Sequence, residues 1–469
     1  LDFDDVIIGS GQAAPALAVA LGGKGRRVAL IEGNRVGGSC VNYGCTPTKT
    51  LRKSARIAFE VGRAAQFGTS VSSFTVDFAA AMARMRDRVG ASRDGLEKWL
   101  ASAPGVTVLN GWGGFSGREG DKFILAFGSQ KLSAERVFLN TGTRPFVPDI
   151  PGLKDVGYLD NVSLLDLDAR PRHVLVLGGS YIGLEMGQIF RRLGSDVTII
   201  EGGSAVASRE DADVSEAIRE FLEEEGISIR CNSSVKRALS TPAGRALELS
   251  DGSIIEGSDI LVATGRLPNS ERLNLASVGV EVDGRGYVPV DDLLRTNVPN
   301  IWALGDLNKR GAFTHTSYHD HEIVLASLDA GRTPTLHQWR GVGERPQTYA
   351  MFTDPPLGRV GIGLKEAQAE ASKGRKILVA THPMSQVSRA KEESETHGLI
   401  RLIVDGDTGR FLGATILGMT GDEIIAVISN YMATGSGYRQ MQQALPVHPT
   451  IAEFLPTVLA KLVPLDPSK

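Results

Sequence analysis

Val6-Ile7-Ile8-Gly9-Ser10-Gly11-Gln12-Ala13-Ala14 opens this chain, and after a helix-like stretch comes Val28-Ala29-Leu30-Ile31-Glu32-Gly33. A second segment repeats the pattern. It reads Leu175-Val176-Leu177-Gly178-Gly179-Ser180-Tyr181-Ile182-Gly183, then a helix-like stretch, then Val197-Thr198-Ile199-Ile200-Glu201-Gly202. The two copies keep one offset without a gap, 169 positions for both Gly9/Gly178 and Glu32/Glu201 (178 − 9 and 201 − 32). Each copy predicts strand, glycine turn, helix, strand and a terminal acid, which is the setting in which a glycine fingerprint carries meaning. The glycines let backbone N–H groups approach a pyrophosphate, and the helix N-terminus adds partial positive charge. The acid at the end of the second strand accepts hydrogen bonds from ribose hydroxyls. A single Gly-x-Gly turn is most often an ordinary tight loop; two copies in register predict two dinucleotide sites. The pattern alone does not say which copy takes which nucleotide.

Both copies depart from the strict fingerprint. Ala14 replaces the third glycine of the first, and Ser180 the middle glycine of the second. At Ser180 two outcomes stay open: the Cβ crowds the phosphate, or the hydroxyl bonds to it.

The rest of the composition narrows the class. The 469 residues are enough for roughly three domains. The 42% hydrophobic content supports large cores, and the formal net charge of -3 comes with no basic stripe to mark a nucleic-acid partner. No apolar run reaches the ~18 residues of a membrane helix, and the start lacks the basic and apolar stretches of a signal peptide. With 3 cysteines the chain has no secreted disulfide framework, and a cytoplasmic location is expected.

Two of those cysteines, Cys40 and Cys45, sit in Gly37-Gly38-Ser39-Cys40-Val41-Asn42-Tyr43-Gly44-Cys45-Thr46-Pro47-Thr48-Lys49. Five residues of regular helix rise by ~7.5 Å, beyond the roughly 4.4–6.8 Å that disulfide Cα atoms prefer. A bridge therefore needs a distorted turn, which Gly44 is placed to supply, and Pro47 predicts that a helix restarts nearby. Two buried thiols or half of a metal site are the other readings. No second cysteine or histidine pair lies at a spacing that would complete a metal site, so redox use is the expectation and no metal is expected. Cys231 stands alone and reads as structural.

With these residues assembled, the chain resembles the flavoprotein disulfide reductases that bind two dinucleotides, the group of dihydrolipoamide dehydrogenase, glutathione reductase and mercuric reductase. The resemblance runs over nearly the whole chain. It rests on Gly38-Ser39-Cys40 through Lys49, on Ala263-Thr264-Gly265-Arg266-Leu267-Pro268-Asn269, on Ala303-Leu304-Gly305-Asp306, and on His448-Pro449-Thr450-Ile451-Ala452-Glu453. Met351-Phe352-Thr353-Asp354-Pro355-Pro356 and Phe313-Thr314-His315 look most like a mercuric-reductase-like bacterial branch that includes reactive-chlorine-resistance reductases.

The resemblance implies an α/β protein with two Rossmann-like dinucleotide-binding domains and a C-terminal α+β dimerisation domain. It places an FAD-binding domain at 1–148 and 270–344, an NAD(P)-binding domain at 149–269, and a dimerisation domain at 345–469, in a homodimer whose sites draw on both subunits. It assigns FAD to Gly9, Gly11, Ala14, Glu32, Gly38, Ser39, Lys49, Gly113, Thr141, Gly142, Asp306, Phe313, Thr314 and His315. It assigns the nicotinamide nucleotide to Gly178, Ser180, Tyr181, Ile182, Gly183, Glu201 and Gly265. Tyr181 would shield the flavin until the nucleotide arrives, and Lys49 would pair with Glu185 near the flavin's reactive nitrogen. Cys45 would face the ring. Cys40 would meet the substrate with a lowered pKa, and His448, oriented by Glu453, would serve as its acid–base partner.

Glu201 suits a free ribose hydroxyl and repels a 2′-phosphate, which predicts NADH over NADPH. The substrate is expected to be a small-molecule or protein disulfide. Alternatives are a dihydrolipoamide dehydrogenase subunit, a reductase of mercuric or copper ions, or a redox sensor of low turnover. The run Leu462 to Lys469 lacks vicinal cysteines, which argues against mercuric reduction. His315, His319 and His321 form a local cluster; the motif puts His315 at the flavin and leaves the other two as expected solvated residues.

Overall fold

The computed structural model describes residues 1–242, 244–329 and 341–466; the last three residues of the C-terminal run lie outside them. Among these residues, both sequence repeats form the predicted elements. Strand Asp5–Ile8, helix Ala13–Gly23 and strand Val28–Glu32 make the first, and His173–Leu177, Tyr181–Arg192 and Asp196–Ile200 the second. The apolar runs lack alternation because parallel strands between two layers are buried on both faces. Val6 and Ile7 are fully buried, as are Leu175 and Val176.

The first sheet has the order Ile301–Ala303, Arg136–Leu139, Asp5–Ile8, Val28–Glu32, Val106–Asn110, all parallel. The second runs Asp259–Val262, His173–Leu177, Asp196–Ile200, Ser228–Arg230, also parallel. In each the strand before the glycine turn is central and the acid-bearing strand lies beside it. Each unit also carries a three-stranded antiparallel sheet, Gly113–Glu119 to Gln130–Ala134 in one and Val235–Thr241 to Ile254–Gly257 in the other. The duplication thus extends beyond the stretch legible in the sequence.

Gly9 and Gly178 show why the turn needs glycine. Their φ angles are +93° and +105°, and a Cβ at either would sit 2.5 Å from a carbonyl oxygen, that of Asn140 or Ala263 respectively. These contacts align a second pair of motifs, Asn140-Thr141-Gly142 in the first unit and Ala263-Thr264-Gly265 in the second.

The last part of the chain is a six-stranded antiparallel sheet ordered Thr348–Met351, Leu357–Gly361, Phe411–Leu417, Leu399–Asp405, Ile377–Pro383, Val463–Pro464. Helix Gly421–Ala433 covers it with Ile424, Ile425 and Ile428. No helix of the described residues is long and apolar enough to cross a membrane.

Candidate active site

The cysteine segment folds as two helices rather than one. Gly38–Asn42 ends at Tyr43, and Cys45–Arg63 starts after Gly44, whose φ and ψ are -131° and -110°. This break brings the sulfurs together: Cys40 and Cys45 share a hydrogen bond as free thiols. Pro47 lies in the first turn of the second helix, where its missing N–H costs nothing.

Three groups act on Cys45. Cys40 donates to it, the Thr314 Oγ1 lies 3.0 Å from its Sγ, and Lys49 adds positive charge. Together they outweigh burial and bring the Cys45 thiol down to about 6. The same hydrogen bond, together with burial, pushes the Cys40 thiol up. This is opposite to the expected lowering at Cys40: Thr314 and Lys49 act on both sulfurs, and the hydrogen bond between them leaves the proton on Cys40, which donates it to Cys45. Thr314→Val should therefore raise the Cys45 pKa, so that at pH 7 less of it is thiolate; thiolate ultraviolet absorbance followed against pH in the dithiol protein checks this.

Lys49 is held 2.9 Å from Glu185 and lies 4.1 Å above the Phe352 ring. The other Glu185 oxygen accepts from the Phe352 N–H at 2.8 Å. The predicted pair thus exists, with a third partner from the C-terminal sheet region that the sequence did not reveal.

The two acids are held alike. Glu32 Oε2 accepts from the Ser10 N–H at 2.9 Å and Oε1 from that of Asn34 at 2.7 Å. Glu201 accepts from Gly179 and Gly203, the equivalent positions, at 2.7 Å each. Ala14 is fully buried in helix packing, whereas a Cβ at the equivalent Gly183 would lie 2.0 Å from the Gly178 carbonyl oxygen. Ser180 is exposed at the start of its helix, with no capping bond from its side chain.

Residues 3–320 match the pyridine nucleotide-disulphide oxidoreductase family, and residues 348–459 match that family's dimerisation domain. The chain belongs to this family. The probable pyridine nucleotide-disulfide oxidoreductase RclA of Escherichia coli (strain K12) is 34% identical over 456 residues, covering 97% of this chain and 98% of RclA. The mercuric reductase of Streptomyces lividans is 32% identical, over 97% of this chain and 94% of its own. The solved structure of the HOCl-induced flavoprotein disulfide reductase RclA from Escherichia coli superposes with a TM-score of 0.86 at 33% identity, covering 98% and 99% of the two chains.

The protein is thus an NAD(P)H-dependent flavoprotein oxidoreductase of the disulphide type, and its first unit fits FAD. Asn140 occupies the place that Ala263 fills in the second unit. It is 4% exposed, and its Nδ2 has no hydrogen-bond partner among the described residues. That nitrogen would lie 2.8 Å from a Cβ at Gly11, and the Asn140 Oδ1 would lie 3.1 Å from one at Gly305. A buried donor left without a partner is costly, and this one lies between the two loops assigned to the cofactor. Next to it, Asp306 accepts from Thr143 Oγ1 at 2.9 Å. Thr141 and Asn269 bond reciprocally at 2.8 and 2.9 Å, joining the two nucleotide units. Gly142 and Gly265 follow with positive φ and open space where a Cβ would be. Gly38 approaches Gly11 so closely that a Cβ would meet its Cα at 2.9 Å, Ser39 beside it is exposed, and Gly113 packs on Ile31.

Phe313 stacks on Tyr349 with centroids 5.3 Å apart and planes 2° from parallel, and on His315 at 5.7 Å. His315 is exposed, with Nε2 2.5 Å from the Thr348 carbonyl oxygen. His319 and His321 are not solvated, contrary to expectation. Arg345 bonds His319 Nδ1 at 3.3 Å, and burial with that cation lowers His319 to about 4, so it is neutral. His321 is buried, bonded to the Tyr318 carbonyl. No group of three or more potential ligands gathers around a metal position among the described residues.

His448 Nδ1 lies 2.9 Å from Glu453 Oε2, forming the predicted pair, and the imidazole side chain is 76% exposed. Its neighbours Leu445 and Val447 are 98% and 74% exposed.

Proposed function

We propose that the chain is a cytoplasmic, homodimeric reductase that passes electrons from NADH to a disulfide substrate through a redox-active Cys40–Cys45 pair. The observation that carries this reading is the contact of the two thiols, held by the break at Gly44 and by Thr314. FAD, when bound, supplies the two electrons that return the 40–45 disulfide to the dithiol. Cys40, deprotonated by His448 of the partner subunit, attacks one substrate sulfur. The first substrate thiol leaves with that proton. Cys45 thiolate then attacks Cys40 sulfur, the 40–45 disulfide forms, and the second substrate sulfur leaves as thiolate. One disulfide is reduced and one dithiol oxidised, so electrons balance.

Support for His448 acting across a dimer comes from its exposure together with that of Leu445 and Val447, since such apolar side chains favour a covering partner. Support for NADH comes from Glu201 at the end of its strand. Steady-state turnover over a panel of disulfides, dihydrolipoamide, quinones and metal ions, each with NADH and NADPH, tests the assignment. Glu201→Ala should narrow the preference for NADH; a wild type that turns over faster with NADPH overturns that part. A second reading, reduction of a thiophilic metal ion, draws support from the facing sulfurs, a soft-ligand pair. The mercuric reductase relatives and the Cu(II) complex recorded for RclA point the same way.

A further inference from the structure

Tyr181 occupies a position that matters for transfer between the second nucleotide loop and the cysteines. It begins the helix that follows that loop, and its ring lies 6.1 Å from Phe313, next to the Thr314 that bonds Cys45. By the resemblance this ring shields the flavin, so a nicotinamide held at Gly178–Gly183 would displace it to reach the redox centre.

The ring is tied down. Tyr181 OH donates to Glu210 Oε1 at 2.9 Å. Glu210, with a side chain 0% exposed, has two other partners, both from the C-terminal sheet: Tyr349 OH donates to the same Oε1 at 3.0 Å, and Arg359 Nη1 to Oε2 at 2.8 Å. When Tyr181 departs, each carboxylate oxygen still has a donor, and the freed phenol meets water. A buried carboxylate that lost its last donor would resist that opening strongly; this one does not lose it.

We propose that Glu210 is a catch that holds Tyr181 closed and that Tyr349 lowers the cost of its release. Glu210 and Tyr349 are then positioning residues that set nucleotide affinity through the closed fraction of the gate, since a site that is open only part of the time binds in proportion to its open fraction. The inference rests on the reading that the second glycine loop holds the nicotinamide nucleotide.

The two phenol deletions have opposite expected signs. Tyr181→Phe keeps the ring and removes the catch, so affinity should rise by about ten- to a hundredfold, the scale of one hydrogen bond to a charged group. Tyr349→Phe keeps the Tyr181–Glu210 bond, removes the weaker contact between the two phenols, and leaves Oε1 without a donor when the gate opens; the loss at the charged oxygen is the larger effect, so affinity should fall several-fold. The double variant should return to the Tyr181→Phe value, because without the catch Tyr349 has nothing to release. Calorimetric titration of NAD+ and of NADP+ into the FAD-loaded protein reads this directly and without turnover, and each single variant loses only one oxygen atom. Shifts in the same direction, or changes under about twofold for both, overturn the catch. Absence of binding of either nucleotide to the wild type overturns the underlying site assignment.

Discussion

Cys45→Ser is expected to reduce disulfide turnover by on the order of 10⁴-fold or more, because the two sulfurs act as a unit and losing one removes nearly the whole effect. Cys45 is the sulfur that carries the negative charge in the dithiol state, with Cys40 and Thr314 donating to it and Lys49 nearby. A serine hydroxyl cannot close a bridge to Cys40, so the mixed disulfide with substrate has no internal exit. The same variant should accumulate one substrate molecule per site on Cys40, visible as a mass increase that a reductant reverses. Turnover within about tenfold of wild type would show that the pair is not the relay, and the thermal midpoint reports whether the variant is folded.

His448→Gln should cost about 10²–10⁴-fold, the usual contribution of a positioned acid–base group. The proton that Cys40 keeps makes this base necessary. The hydrogen bond to Cys45 and burial hold Cys40 in its protonated form above the ordinary thiol range. Cys40 therefore needs a base to attack, and the exposed imidazole oriented by Glu453 is the group offered for that role. Without it, solvent hydroxide must remove the proton, so the residual rate should climb with pH across the range where wild-type turnover is level. A variant rate that stays flat with pH would mean that His448 does not serve Cys40. Glu453→Gln, which keeps a hydrogen-bonding group beside the ring, should cost less than loss of the histidine.

These expectations differ in how far they can be read from the chain. The two glycine turns, the acids 32 and 201, and the cysteine pair were legible because each depends on local backbone geometry or a short covalent spacing. Gly9 must be glycine because its φ is positive and a carbonyl stands against it; Gly44 could be assigned the break because a regular helix would keep the cysteines apart. His448 and Glu453 could be paired for the same reason, since five positions separate them.

What the sequence withheld depends on distance through space. Thr314 meets Cys45 across 269 positions, and Glu210 meets Tyr349 across 139. Nothing in Ser208-Arg209-Glu210-Asp211 marks one of its acids as buried beneath two phenols and a guanidinium. Asn140 reads as a small change in an Ala-Thr-Gly-like motif until its unpartnered nitrogen is seen beside Gly11. The Cys40 thiol is raised where the sequence reading expected it lowered, because a pKa is set by every donor and charge around the sulfur. Sequence thus determined the backbone framework and the reactive atoms; tertiary packing alone decided which sulfur holds the charge and what holds the gate, since burial and long-range contact have no local pattern in the chain.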